Sequence, residues 1–132
     1  MMKITSGLVA VATAAGLSAC AQSDAQSASK PVAPAAQVVG EPVNCLQLTN
    51  FRSTEIRDDR TIDFMGTGDR VWRNTLPNSC PGLKAADTFT YATSISQLCS
   101  VDIITVLNNS GGSLQRGAGC GLGQFVPVKL EK

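Results

Sequence analysis

The chain has 132 residues, room for one domain, and its 43% hydrophobic and 16% charged residues suffice for a packed core. Its formal net charge is +1, with acids and bases interleaved and no histidine. This excludes the basic stripe that phosphate backbones require, any like-charged interaction tail, and catalysis by histidine-activated nucleophiles.

The chain opens with MMKITSGLVAVATAAGLSAC. Lys3 supplies a short positive region, and Ile4 to Leu17 is apolar and small. That run suits the apolar core of a signal peptide and is too short to span a bilayer comfortably. It ends in Leu17-Ser18-Ala19-Cys20, which resembles the lipobox of bacterial lipoproteins: a leucine and two small residues before a cysteine. The resemblance implies that residues 1–19 are cleaved and that the Cys20 sulfur carries a diacylglyceryl group. Each buried methylene contributes about 0.8 kcal/mol, so two acyl chains anchor a protein stably. It also implies a protein facing the periplasm. Ala21 and Gln22 follow Cys20. The aspartate that retains such proteins in the inner membrane is missing there, which points to the outer membrane. Loss of Lys3 leaves equal numbers of bases and acids, so lipid rather than charge must hold the chain to the bilayer.

Residues 20–42 continue as the lipidated cysteine and a stretch rich in Ala, Gln, Ser and Pro. With no aromatic residue and no sustained apolar period, this composition reads as a disordered tether. About 20 such residues reach roughly 25 Å. The globular domain is expected over residues 43–132.

Within the domain the elements read mostly as strands. Glu55 to Met65 suggests a hairpin turning at Asp58-Asp59, with Ile62 and Phe64 alternating against Thr61 and Asp63 as a half-buried strand. Met65 to Asp69 turns the chain, and Arg70 to Asn74 forms another short strand. Thr88 to Thr93 alternates with Phe89 and Tyr91 on one face. A turn of helix is expected around Gln97. Val101 to Leu107 is apolar on both faces and so central. Asn108 to Gly119 reads as a long loop or flexible hairpin tip. Gly121 to Val128 is a last strand whose Pro127 places its end at a sheet edge. The expected fold is a small, mostly β domain, a disulfide-stapled sandwich or partly open barrel of five to seven short strands.

Five cysteines cannot all pair, and Cys20 is the natural spare. The other four, Cys45, Cys80, Cys99 and Cys120, suit two disulfides in an exported chain. Three pairings are open. Joining Cys45 to Cys120 would staple the ends, with Cys80–Cys99 nested inside. Zinc ligation and thioredoxin-type redox chemistry both want closely spaced pairs such as C-x-x-C, and none occurs.

Several segments of the domain also resemble a family of small proteobacterial lipoproteins carrying a domain of unknown function. They are DDRTIDF, VWRNTL, the CPGL of Cys80–Leu83, Leu98-Cys99 with Asp102, and the CGLGQFVPV of Cys120–Val128. The resemblance covers most of residues 45–128. It implies one domain with paired cysteines and brings no activity.

Enzymatic signals fail one by one. Gly111 to Gln115 lacks the final glycine of a nucleophile elbow and any base. Gly117 to Gly123 misses the spacing of a dinucleotide loop and has no Lys-Ser/Thr after it, so turns or packing against a disulfide explain it better. Asp58, Asp59, Asp63 and Asp69 do not match a calcium loop. No catalytic residue, metal site or cofactor is expected. If a surface binds, Trp72 with Arg70, Arg73 and Arg60 is the place, because Trp and Arg dominate hot spots. The expectation is a non-catalytic, lipid-anchored binding module of the cell envelope. Its partner would be a peptidoglycan fragment or an envelope protein. A periplasmic enzyme would instead need convergent carboxylates around Asp102 or Asp63, an enzyme inhibitor a rigid exposed loop within 108–119, and a redox sensor an exposed bridge.

Overall fold

The structure, a computed structural model, describes residues 33–132. The expected signal peptide, Cys20 and the first part of the expected tether lie outside the described residues. The Asp58-Asp59 turn joins β3 (Phe51–Ile56) to β4 (Thr61–Gly66), and β5 (Val71–Thr75) pairs antiparallel with β4. The last strand, β10 (Phe125–Leu130), returns beside β5, and β1 (Ala36–Val38) covers its other edge. The resulting order is β1-β10-β5-β4-β3. A second sheet has the order β6-β8-β9, formed by Phe89–Tyr91, Ile103–Ser110 and Ser113–Gly121. A ribbon of β2 (Cys45–Gln47) and β7 (Gln97–Cys99) completes the set. Among the described residues no sheet closes into a barrel.

One core serves all three sheets. Ile56, Ile62, Phe64 and Phe125 enter it from the large sheet, Ile104 and Val106 from the second, and Leu46 and Leu98 from the ribbon. Full burial of each such side chain contributes about 1.5–3 kcal/mol. Phe64 meets Phe51 and Phe125 edge to face, with ring centroids 5.0 and 5.2 Å apart, the arrangement that ring quadrupoles prefer. The short helix α1 (Leu83–Ala86) buries Leu83 in the same core. Its N-cap, Gly82, has no side chain to offer, and Asp59 from the β3–β4 turn supplies the cap, its Oδ1 accepting from the Lys84 N–H at 2.7 Å.

The structure corrects several expectations. The described residues form ten strands rather than five to seven, because β1, β2 and β7 have three residues each, too few to show a period, and β9 lies in a glycine-containing run that reads as a loop. The domain begins before residue 43: Ala36–Val38 pairs with β10 through backbone bonds, which need no apolar side chains. Gln97 is in strand β7, not a helical turn. Most of Asn108–Gly119 continues β8 and β9 as a hairpin closed by Gly111-Gly112, whose φ values of 63° and 86° suit a primed turn. Pro127 lies in a strand flanked on both sides, not at an edge. The Pro127 carbonyl accepts from the Val39 N–H at 2.9 Å, so the side where proline lacks a donor is the side where β1 stops.

The expected nested bridges are also replaced. Cys45 pairs with Cys99 and Cys80 with Cys120, so the two loops interleave. Register decides this. Cys45 and Cys99 face each other across β2 and β7, while Cys80 anchors the start of α1 to Cys120 on β9.

Candidate binding groove

Trp72 owes its position to its neighbours. It faces Phe64 on β4 and Pro127 on β10, and part of its ring packs on the core. The turn from β4 to β5 is closed by the Gly66 N–H donating to the Arg70 carbonyl at 2.8 Å. A Cβ on Gly66 would stand 2.7 Å from the Trp72 ring and 2.8 Å from the Asn50 carbonyl oxygen, so only glycine lets the indole lie across this strand.

The uncovered part of Trp72 borders a groove of about 570 Å³ lined by Val39, Asp69, Arg70, Pro127 and Lys129. A neighbouring groove of about 800 Å³ shares Asp69, Val71 and Lys129 with it and runs past Met65 and Leu130 to Pro34. Both volumes lie in the range of small-ligand sites. Arg70 and Lys129 are exposed and, among the described residues, neither is in an ion pair. The wall therefore offers an aromatic surface, a proline ring and two free cations beside one carboxylate.

The four residues expected to form a patch do not assemble as one. Trp72 and Arg70 share the groove. Arg73 sits one residue on, with its side chain on the opposite face of the sheet, across from Asp63. Arg60 lies in the β3–β4 turn, where its guanidinium donates to the carbonyls of Leu76 and Pro77 at 2.7 and 3.1 Å. Strand alternation separates Trp72 from Arg73, and the length of β5 separates both from Arg60.

Asp63 is the main departure from the expected half-buried strand. Its side chain is fully buried and both oxygens are occupied. Arg73 grips them with Nε at 2.7 Å and Nη2 at 2.9 Å, and Arg57 Nε adds a bond at 2.8 Å. Arg73 Nη1 also donates to the Pro34 carbonyl at 2.9 Å, tying the N-terminal segment to the sheet. The hydrogen bond to Asp63 holds the Arg73 pKa above its ordinary value, against the opposing effect of burial. A fully buried carboxylate gripped this way is a structural counter-ion.

Asp102 is held through one of its two oxygens. Its Oδ2 accepts from the Cys99 N–H at 2.6 Å, and its own N–H donates to the Cys99 carbonyl at 2.9 Å, which closes the turn after β7. Of the two carboxylates singled out for acid–base chemistry, Asp63 is spent on structure, while Asp102 holds a turn and also lines a groove with Tyr91 and Arg116. Among the described residues no three His, Cys, Asp or Glu side chains come together as a metal site.

Val39, Pro127 and Lys129 escaped the sequence reading. They reach Trp72 only through the pairing of β1 with β10 and β10 with β5, which no local pattern encodes. A family model described as a family of unknown function (DUF6491) matches residues 1–124. No curated protein and no solved structure matches the chain.

Proposed function

The chain belongs to this family of unknown function, and from that premise we propose that it is a lipid-anchored binding module of the bacterial cell envelope. In this reading Cys20 carries the acyl chains, and the Trp72 groove holds an envelope ligand without chemical conversion. The observation that carries it is the groove itself: a partly buried indole with Arg70 and Lys129 exposed at its rim and, among the described residues, in no ion pair. An indole face stacks on a sugar ring, and the two cations match carboxylates. A peptidoglycan fragment offers both, which makes it the ligand class that best fits this wall.

Position supports the reading. Pro34, which lines the neighbouring groove, follows Cys20 by so few residues that even a fully extended chain reaches only about 50 Å. A ligand of this groove would therefore lie close to the membrane surface.

Trp72 is the only tryptophan, so its emission reports on the groove. Titration with soluble peptidoglycan fragments is expected to shift that emission saturably, and Arg70→Ala with Lys129→Ala to weaken the apparent affinity about tenfold or more. An emission spectrum that ignores the fragments, or responds equally in the double variant, counts against this site. Mass measurement on protein from the membrane fraction tests the anchor: the expected N-terminal peptide begins at Cys20 and carries acyl mass, and an unmodified one contradicts it.

A further inference from the structure

The two bridges sit in different chemical surroundings. Cys80 is fully buried, and Cys120 packs against the same core. Cys45 is exposed on the two-stranded ribbon, while its partner Cys99 keeps 8% exposure. A disulfide is opened by a thiolate that approaches one sulfur in line with the bond, so access to a sulfur sets which bridge reacts. Cys45, an exposed residue, leaves that approach open, and Cys80, fully buried, closes it.

We propose that Cys45–Cys99 is a thiol–disulfide exchange site for a dithiol reductant, opened and closed reversibly while Cys80–Cys120 stays shut. In the exchange, a thiolate of the dithiol attacks Cys45 Sγ. The sulfur–sulfur bond breaks, and its electron pair goes to Cys99 Sγ, which takes up a proton. The second thiol of the reductant then attacks its own sulfur in the mixed disulfide and releases Cys45 as a thiol. Two electrons and two protons pass to the bridge, and the reductant leaves as a disulfide.

The ribbon is held by bonds that do not depend on the bridge. Leu46 and Leu98 are buried in the core on either side of it. The Ser100 N–H donates to the Asn44 carbonyl at 2.7 Å, and the Leu48 N–H to the Ser96 carbonyl at 3.0 Å. Val43 and Phe125 exchange backbone bonds of 2.9 and 2.8 Å just before β2. Asp102 fixes the Cys99 backbone from the other side. The two thiols therefore remain opposite each other, with Cα atoms 4.0 Å apart in the closed state, and are placed to re-form the bond. The inference is independent of what the Trp72 groove binds.

The test is a redox titration of the oxidised full chain, without denaturant, in mixtures of reduced and oxidised dithiothreitol. Thiols are trapped with N-ethylmaleimide and assigned by peptide mass. Cys45 and Cys99 should become labelled at a reduced-to-oxidised ratio at least tenfold lower than Cys80 and Cys120. Trp72 emission and the far-ultraviolet circular dichroism should stay native at that point. Restoring the oxidised buffer should re-form the same pair. Opening of both bridges together, earlier opening of Cys80–Cys120, or loss of the native spectra on opening Cys45–Cys99 overturns the proposal. The Cys45→Ala/Cys99→Ala variant gives a second check. It should fold, and its remaining bridge should resist the dithiol as it does in the parent chain. A variant that loses its fold contradicts the claim that the ribbon stands without its bridge.

Discussion

The two disulfides close loops of similar length, with sequence separations of 54 and 40 residues. Chain entropy alone therefore assigns each about 4 kcal/mol and cannot tell them apart. Their surroundings can. At the Cys80 end the backbone is pinned from many sides. The Cys80 N–H donates to the Asp59 carbonyl at 2.7 Å, Lys84 Nζ reaches the Ile56 carbonyl at 2.9 Å, and Arg60 Nε reaches that of Leu76 at 2.7 Å. At the Cys45 end a ribbon of three-residue strands carries a bridge whose Cys45 half is exposed. Loop length sets what a staple contributes to stability, and burial sets whether chemistry can reach it.

The largest effect that sharpens the contrast is removal of each bridge. Cys80→Ala/Cys120→Ala should lose the entropic share and also leave a cavity in the core, about 5 kcal/mol in all. That is comparable with the whole stability of a small domain, so this variant should be largely unfolded. Cys45→Ala/Cys99→Ala should lose no more than the entropic share and unfold cooperatively at a lower denaturant concentration. Equal losses in the two variants, read from urea transitions, would remove the distinction.

Asp63→Asn comes next. It leaves Arg57 and Arg73 facing a buried neutral group, and breaking such a pair costs about 3 kcal/mol, since both arginines keep some contact with water. The Arg73 pKa is raised on folding, so its contribution is complete below the unfolded value and is lost only as pH rises through the folded one. Both lie far above neutrality. Between pH 6 and 9 the arginine should add no slope to the stability of the native chain, which denaturation at several pH values can check. The smallest effect should come from Leu114→Ser at the hairpin tip, where the side chain is 65% exposed. Stability should move by less than about 0.5 kcal/mol. A larger loss there would mean that the hairpin is packed against something and belongs with the buried end.

Local features were legible in the chain. The Asp58-Asp59 turn and the alternation of Ile62 and Phe64 place β3 and β4, and Phe89 and Tyr91 do share the core-facing side of β6. What depended on pairing was hidden. Asp63 looked like the wet side of a strand because its partners arrive from β5 and from the turn after β3. The cysteine pairing followed the register of a ribbon too short to show any pattern. Arg73 and Trp72 are neighbours in the chain, yet alternation sends one to Asp63 and the other to the groove. Gly123 shows the same limit. It read as part of a glycine run entering the last strand, but it packs against the Thr75 carbonyl and exchanges two hydrogen bonds with the buried Asn74 side chain, at 2.7 and 2.8 Å.

The contrast between the two ends rests on which cysteines are joined. Trypsin cleaves at Arg52, Lys84 and Arg116, which separates all four cysteines of the domain into different peptides. A tryptic map of the unreduced protein therefore reads the connectivity directly. The account predicts two linked species, one joining the Cys45 and Cys99 peptides and one joining those of Cys80 and Cys120. A link between the Cys45 and Cys120 peptides, or between those of Cys80 and Cys99, would contradict it.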